Sequence, residues 1–271
     1  MWPRIAGTPV ALNVDGLERQ RKKWNWLAKT WYLVSEHLAT ALPSAVVTDA
    51  QAIQTYYRAR YSKTSTFIPY GADVGPVEDS GVLAELGLER GRYFLYVSRM
   101  EPENNALLVR EAFEKVATDL KLALIGDAPY ADEYIAQVRE TADRRMVMPG
   151  GIYGAGYRDL QANSFAYIHA TEVGGTHPAL IEAMGRGALV LYLRTTENEE
   201  VAGEAGIPFE PDTLVERMEE VLRMPEEERA EYRARALARV AERYSWDAVT
   251  DQYEELLMGL VRNDSAQDFN D

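Results

Sequence analysis

The residues best suited to chemistry lie where a buried strand runs into two glycines and then a helix. The strand ends at His169, and the turn that follows contains Gly174, Gly175 and Thr176. Glycines let a backbone approach a ligand closely. Thr176 is a good N-cap, and the N–H groups and dipole of a helix start favour an anionic group. The spacing therefore predicts a phosphate or pyrophosphate site.

The helix after this turn carries two further candidates. Glu182 lies about one and a half turns into it, where a carboxylate would accept hydrogen bonds from ribose hydroxyls. A solvated helix face explains Glu182 equally well. His177 at the helix start is a candidate for a phosphate contact, whereas a lone histidine at a strand end, such as His169, is more often structural.

The elements that must position these residues follow a regular alternation. From residue 93 onward, short apolar runs alternate with amphipathic segments, which is typical of βαβ units in a parallel, doubly wound sheet. Ligands bind at the carboxyl ends of such strands. The predicted strands are Tyr93–Ser98, Lys121–Gly126, Met146–Pro149, Phe165–His169, Ala188–Leu193 and Ile207–Phe209. Residues 1–72 hold three shorter strands and look like the second half of such a domain.

The segment Glu182–Gly187, Glu-Ala-Met-Gly-Arg-Gly, resembles the donor-binding motif of GT-B glycosyltransferases of family 4. The resemblance implies that Glu182 binds the nucleotide ribose. In the family an earlier glutamate contacts the donor sugar, but its position here is Gly174, and Glu172 stands two residues too early. The backbone of Gly174 and Gly175 and the hydroxyl of Thr176 are expected to make that contact instead.

A second match surrounds Arg99. The segment Tyr93–Asn105 resembles the family's strand and loop, in which an arginine and a later lysine hold the donor pyrophosphate. Arg99 matches, and the lysine position is Asn104, whose amide can bond a phosphate oxygen but supplies no charge. Gly126 and Gly151 match two further strand ends that approach the nucleotide and its base.

The first 72 residues resemble the second half of the N-terminal domain in a bacterial, rhamnosyltransferase-like subgroup of this family. The matching segments are Asn13–Trp24, Tyr56–Tyr57 and Ser65–Ala72. The resemblance implies that Asp15 and Glu18 line the interdomain cleft, where they bind a sugar or supply a general base. A plain turn at Asp15 and a helix-terminal charge at Glu18 are the alternatives.

Together these matches predict an α/β fold of the GT-B type, with two Rossmann-like doubly wound domains. The N-terminal one is expected to be incomplete, either truncated or completed by another chain. The predicted organisation is a partial acceptor-side domain at 1–72, a linker at 73–90, a nucleotide-sugar-binding domain at 91–244, a closing helix at 245–262 and a disordered tail at 263–271.

Charge and composition limit the classes of binding partner and the cellular location. The net charge of −14 argues against nucleic acid. Residues 1–73 nevertheless carry nine Lys and Arg against five Asp and Glu, an excess suited to an anionic membrane surface. The chain has no cysteine and no long apolar run. We expect a cytoplasmic protein, either free or in peripheral contact with the inner face of the cell membrane.

The predicted function is transfer of a sugar from a nucleotide-diphosphate sugar to a glycan or lipid-linked acceptor in bacterial polysaccharide biosynthesis. The resemblance implies retention of configuration and neither metal nor other cofactor. Arg99 and the helix start at Thr176 would offset the charge of the departing diphosphate. One alternative is a nucleotide-sugar-binding protein without transferase activity of its own, which needs a partner chain. Others are a GT-B epimerase or phosphorylase, or a scaffold that offers Trp2, Trp24, Trp26 and Trp31 to a partner.

Overall fold

The structure is a computed structural model that describes residues 2–17, 19 and 24–267. Its strands, in chain order, are β1 (Ala11–Val14), β2 (Ala45–Thr48), β3 (Thr66–Phe67), β4 (Tyr93–Val97), β5 (Lys121–Ile125), β6 (Met146–Gly150), β7 (Ala166–His169), β8 (Val190–Leu193) and β9 (Ile207–Phe209). Its helices are α1 (Trp2–Ile5), α2 (Trp26–Ala41), α3 (Gln51–Tyr61), α4 (Val82–Glu85), α5 (Ala106–Glu114), α6 (Asp132–Arg139), α7 (Gly154–Asn163), α8 (Pro178–Gly185), α9 (Thr196–Ala202), α10 (Leu214–Arg223), α11 (Glu226–Arg243) and α12 (Trp246–Gln267).

The chain divides by its contacts into two units. Unit 1 comprises Met1–Gly71, Val173–Thr176 and Tyr244–Asp271, and unit 2 comprises Ala72–Glu172 and His177–Arg243. The described part of the chain contains no helix long and apolar enough to cross a membrane.

Unit 2 is built on a six-stranded parallel sheet in the order β6-β5-β4-β7-β8-β9. Its strands are continuous apolar runs because helices cover both faces of such a sheet. Phe94, for example, pairs with Leu122 on one side and Ala166 on the other, and all three are fully buried. The strand order reverses between β4 and β7, which makes the carboxyl ends of these strands a topological switch point. The predicted doubly wound α/β fold is confirmed.

The segment expected as a linker, 73–90, contains α4, and its contacts assign it to unit 2. Val82 and Leu83 are buried. Asp159 accepts hydrogen bonds from the N–H and the hydroxyl of Ser80, at 2.8 and 2.7 Å. The segment is therefore part of the packing of unit 2.

Unit 1 has a three-stranded parallel sheet in the order β1-β2-β3. Neighbouring residues of β2 point to opposite faces, as the strand geometry requires. Val46 packs with Ile53 of α3, whereas Val47 packs with Ile68 and with Val249 of α12. The sheet is thereby covered on one side by α3 and on the other by the last helix of the chain.

The ends of two helices of unit 1 are well defined. Asn25 caps α2 by accepting the N–H of Ala28 at 3.0 Å, so this helix begins at Trp26. Helix α12 runs to Gln267, five residues past the predicted end at residue 262. The start of the predicted disordered tail is therefore helical, because an established helix gains one hydrogen bond for each residue added. Residues 268–271 lie outside the described part.

Candidate functional site

A cavity of about 210 Å³ lies in unit 2 at the carboxyl ends of β4, β5 and β6. Most of its lining residues follow a strand directly, and two come from α7 and the first turn of α8. They are Val97, Ser98, Arg99, Ile125, Gly126, Asp127, Gly151, Ile152, Tyr153, Tyr157 and Ala179. The cavity adjoins the β4/β7 switch point, where doubly wound folds bind their ligands. Three predicted residues, Arg99, Gly126 and Gly151, meet here.

Arg99 lines this cavity, and its main chain is held by a hydrogen bond from Asn104. The Arg99 side chain is 57% exposed, and its nearest acidic atom is Glu101 Oε2 at 4.0 Å. The amide of Asn104 donates to the Arg99 carbonyl at 2.7 Å, and the Asn104 carbonyl accepts from Tyr96 at 2.6 Å. Asn104 is buried. This arrangement makes Asn104 a residue that positions Arg99, and its direct contact with a phosphate stays a prediction.

Gly126 and Gly151 shape the floor of the cavity. Gly126 has φ +150°, and a Cβ there would collide with the Ser98 carbonyl oxygen. Only glycine lets β5 end so close to the residue before Arg99. A Cβ on Gly151 would meet the Tyr153 hydroxyl at 3.0 Å. The Tyr153 side chain is 83% exposed, so its ring is available to stack on a planar ligand.

Glu182 is held by a neighbour that the sequence reasoning missed. The Tyr157 hydroxyl donates to Glu182 Oε2 at 2.6 Å and accepts from Gln161 Nε2 at 2.8 Å. Burial, followed by the charges of Tyr167 and Glu182, raises the pKa of Tyr157 far above its usual value, so the phenol keeps its proton. Tyr157 also lines the cavity, and it links Glu182 to the site.

Glu172 is fixed against the loop after β4. Its backbone N–H donates to the Glu103 carbonyl at 2.9 Å, and its Oε1 accepts from the Asn105 amide at 3.1 Å. Asn105 adopts φ +61°, a left-handed conformation that asparagine tolerates, and also donates to the Ala170 carbonyl at 2.9 Å. The sequence contained a signal for this role, since adjacent asparagines in a loop are typical of such turns.

The turn Gly174–Thr176 belongs to unit 1 and corrects the sequence interpretation. The N–H of Thr176 donates to Asp49 Oδ2 at 2.9 Å, and the Thr176 hydroxyl donates to the Asp49 carbonyl. A Cβ on Gly175 would collide with the Asp49 carboxylate, and a Cβ on Gly16 would lie 2.5 Å from the Gly174 carbonyl carbon. The N–H that we expected to receive a phosphate is thus bonded to a carboxylate.

The predicted N-cap of α8 is wrong. Thr176 does not cap α8, whose N-cap is His177. Asp49 does not cap α3, whose N-cap is Ala50 and has no side-chain bond. Thr176 and Asp49 bond each other instead, within unit 1.

Asp15 follows β1 and forms a local turn in which its Oδ1 accepts the N–H of Gly16 at 2.8 Å. Burial raises the pKa of Tyr70, and the negative charges of Asp15 and Asp49 raise it further. The negative charge of these two carboxylates opposes phosphate near Tyr70 and favours neutral hydroxyls. Glu18, the second predicted catalytic residue, lies outside the described residues.

His169, which is buried, and His177, which is partly buried, form a hydrogen-bonded group with Asn198. The Asn198 amide donates to the carbonyls of Thr171 and Leu193 at 3.1 and 2.8 Å, so its Oδ1 faces His177 Nδ1 at 2.7 Å. This Nδ1 must carry a proton, and His169 Nε2 lies 3.0 Å from it. His169 is therefore structural, while a phosphate contact by His177 Nε2 stays a prediction.

Among the described residues, no group of three or more His, Cys, Asp or Glu side chains is placed to hold a metal ion. The switch-point cavity, its arginine and the oriented carboxylate define an α/β protein of the GT-B class, and solved structures agree. HepE from Anabaena, crystallised with UDP and glucose, matches with a TM-score of 0.81 at 19% identity, over 94% of this chain and 73% of that one. Sucrose-phosphate synthase from Thermosynechococcus elongatus matches with a TM-score of 0.78 at 17% identity, over 94% and 69%.

The chain belongs to the glycosyl transferases group 1 family, whose model matches residues 91–227. A domain of unknown function, DUF1972, matches residues 4–73. The O-antigen chain mannosyltransferase B of Escherichia coli is 26% identical over 201 residues, which are 70% of this chain. This chain spans half the length of that curated relative.

Proposed function

We propose that this protein binds a nucleotide-diphosphate sugar in unit 2 and transfers the sugar to a glycan or lipid-linked acceptor. The observation that carries the proposal is Arg99, exposed over a cavity at the switch point of the sheet and held in place through its main chain. An exposed cation above a largely apolar cavity suits a ligand with a flat base at one end and a diphosphate at the other.

Each part of the donor has a matching group in unit 2. We assign the base to Tyr153 and the neighbouring Ile152 at the end of β6, and the ribose to Glu182, which Tyr157 orients. The diphosphate then meets Arg99 and the first turn of α8 at Ala179, whose N–H end carries partial positive charge.

In the proposed reaction the bond between the sugar and the diphosphate breaks, and negative charge builds up on the leaving diphosphate. Arg99 and the α8 terminus offset this charge within a preorganised site. Asp15 is proposed to bind sugar hydroxyls or to take the acceptor proton, and we propose retention of configuration. The mannosyltransferase relative and the rhamnosyltransferase-like sequence features support a place in bacterial polysaccharide biosynthesis.

Titration calorimetry with UDP, GDP and dTDP tests the donor site. Loss of one charged hydrogen bond costs about 1.5–3 kcal/mol, so Arg99→Ala should weaken binding about 10- to 150-fold. Glu182→Ala should weaken nucleoside binding by a similar factor. Arg194→Ala and Glu210→Ala, which remove an equally exposed ion pair at 3.5 Å, are the matched controls and should bind like the parent.

The outcomes separate three cases. No binding of any nucleotide would overturn the donor site, and equal binding by all variants would overturn the residue roles. Binding without donor hydrolysis or transfer would favour the alternative, a nucleotide-sugar-binding protein that depends on a partner chain.

We also propose that unit 1 contacts an anionic membrane through α2. Large apolar side chains lie on one exposed face of this helix. They are the neighbours Trp26 and Leu27, followed at intervals of four, three and four residues by Trp31, Val34 and Leu38, and they are between 46 and 73% exposed. Glu36, the acidic residue of α2, is buried against Arg19. The segment 19–29 carries five basic residues and no acidic one. Tryptophans, leucines and nearby basic charge are the composition of helices that lie in a lipid interface.

Sedimentation with lipid vesicles tests this surface. The protein should pellet with phosphatidylglycerol vesicles and not with phosphatidylcholine vesicles, and salt should release it. A Trp26→Ser/Trp31→Ser variant should lose binding, whereas Leu257→Ser, an exposed apolar residue of α12, should keep it. Concentration-dependent dimerisation that the same double variant abolishes would show instead that a second copy covers this face.

A further inference from the structure

A second cavity, of about 240 Å³, lies within unit 1 at the amino ends of β2 and β3. Its lining comes from two segments, Ser44–Val46 at the start of β2 and Lys63–Thr66 at the start of β3. Doubly wound folds bind their substrates and cofactors at the opposite, carboxyl edge of the sheet. A strand of four residues separates the two edges by about 13 Å. This cavity is therefore distinct from any site at the carboxyl ends of these strands.

The polar lining of this cavity consists of hydrogen-bond donors. Ser44 Oγ accepts the N–H of Val10 at 3.0 Å, so its own proton can be donated to a ligand. In the part of the chain that the structure describes, no acidic side chain pairs with the Lys63 ammonium, and no group accepts from the hydroxyls of Thr64 and Thr66. A cation beside several hydroxyl groups suits the oxygens of a phosphate.

The charge around the cavity is positive. Arg58 and Arg60 are exposed in the last turn of α3, and Lys63 follows two residues after this helix. Between residues 37 and 72 the sequence contains one acidic residue, Asp49, which lies beyond the far end of β2. The length of β2, about 13 Å, exceeds the screening length of about 8 Å at physiological salt. Asp49 therefore does little to offset the attraction of an anion to this cavity.

Exposed apolar side chains lie close to the rim of the cavity. Helix α2 ends at Ala41 and β2 begins at Ala45, so the end of this helix lies at the same edge of the sheet as the cavity. Leu38 and Leu42, in the last turn and at the C-cap of α2, are 46 and 36% exposed. The Cα atoms of Leu42 and Ser44 are at most about 7 Å apart, because two residues span no more. A phosphate with attached hydrocarbon chains matches both surfaces, whereas a small soluble phosphate matches one.

We propose that this cavity binds the phosphate of an anionic phospholipid through Lys63, Ser44 and Thr64. The acyl chains of the lipid then lie along Leu38 and Leu42. The proposal rests on the part of the proposed function that places α2 on an anionic membrane, and it adds to that surface a defined site for one lipid. Occupation of the site holds the carboxyl end of α2 at the level of the lipid phosphates and so fixes the tilt of this helix.

Amide NMR of the full chain with dihexanoyl-phosphatidylglycerol, kept below its micelle concentration, tests the cavity. The lipid should shift the signals of Thr64–Thr66. Lys63→Gln should weaken binding about tenfold or more, and Lys63→Arg should retain most of it. Arg58→Gln is the matched control, since it removes an exposed cation that does not line the cavity. It should weaken binding at most about fivefold.

Glycerol 3-phosphate and inorganic phosphate distinguish a lipid from a soluble phosphate. Both lack acyl chains, so they should bind at least about tenfold more weakly than the lipid. Leu42→Ser should weaken binding of the lipid and leave that of glycerol 3-phosphate unchanged. Equal affinity for all three compounds would overturn the lipid assignment. If none of them produces a shift that depends on Lys63, the phosphate site itself is overturned.

Vesicle sedimentation and UDP titration of the same variants separate this proposal from the proposed function. If the parent and Lys63→Gln pellet equally with phosphatidylglycerol vesicles and the monomeric lipid causes no shift, the cavity site fails and the α2 surface stands. If the lipid causes a shift that depends on Lys63 but the parent does not pellet, the α2 surface fails and the phosphate site stands. Calorimetry with UDP tests the donor cavity of unit 2 independently, and Lys63→Gln should bind UDP like the parent.

Discussion

Because His169 is buried beside His177, the free energy of unfolding of this protein should fall in mild acid. Burial lowers the pKa of His169 well below its usual value of 6.5, and the charge of neighbouring His177 lowers it further. The unfolded chain therefore takes up the proton first as the pH falls. Stability that is fully present above about pH 6.5 is lost below it, at about 1.4 kcal/mol per pH unit for one proton.

Urea unfolding between about pH 8 and about pH 5 measures this slope. The variant His169→Gln lowers the overall stability, but it should also remove about 1.4 kcal/mol per pH unit from the slope below pH 6.5. Taking the difference between parent and variant cancels the titration of the carboxylates. Replacement of the exposed His37 by glutamine controls for the loss of an imidazole elsewhere and should follow the parent. Parallel pH profiles for the parent and His169→Gln would refute the reasoning.

Two further substitutions test how the donor cavity is built. Gly126→Ala should destabilise by about 3 kcal/mol or more, because it combines backbone strain with a collision. Gly150→Ala, at φ +100° with no atom within 4 Å of the new Cβ, should cost only about 1–2 kcal/mol of strain in the same urea assay, and equal costs would contradict the collision. Tyr157→Phe removes the 2.6 Å hydrogen bond to Glu182, so it should lower the free energy of unfolding by about 1.5–3 kcal/mol and weaken UDP binding. Unchanged affinity for UDP would show that other contacts orient Glu182.

The six strands of unit 2 could be predicted from the sequence because their signal is local. A strand covered on both faces must be apolar along its length, and Tyr93–Val97 or Lys121–Ile125 can be read as such runs without knowledge of their partners. The start of α7 at Gly154 has no such local signal. Its first turn, Gly154-Ala-Gly, has a poor helix propensity, and packing forms it nonetheless.

The surroundings of the Gly174–Thr176 turn could not be predicted. Thr176 and Asp49 each look like an N-cap by residue type and by the helix that follows. They lie 127 residues apart and bond each other. A polar side chain next to a helix start can hydrogen-bond either to that helix or to a distant residue that the tertiary structure brings close. The local sequence does not indicate which of the two bonds forms.

The pairing of the last helix with the first sheet has a consequence for biosynthesis. Val47 and Ile68 leave the ribosome before unit 2 is made, whereas Val249, which covers them, leaves it after unit 2. Unit 2 can pack while the apolar face of β1–β3 is still exposed, because α12 has not yet been made. During this period the exposed β-sheet surface makes the nascent chain most prone to aggregate or to bind a chaperone. Slow codons or a stalled ribosome before residue 244 would lengthen this period, so the yield of folded protein should depend on residues 244–271 more than on any segment of unit 2.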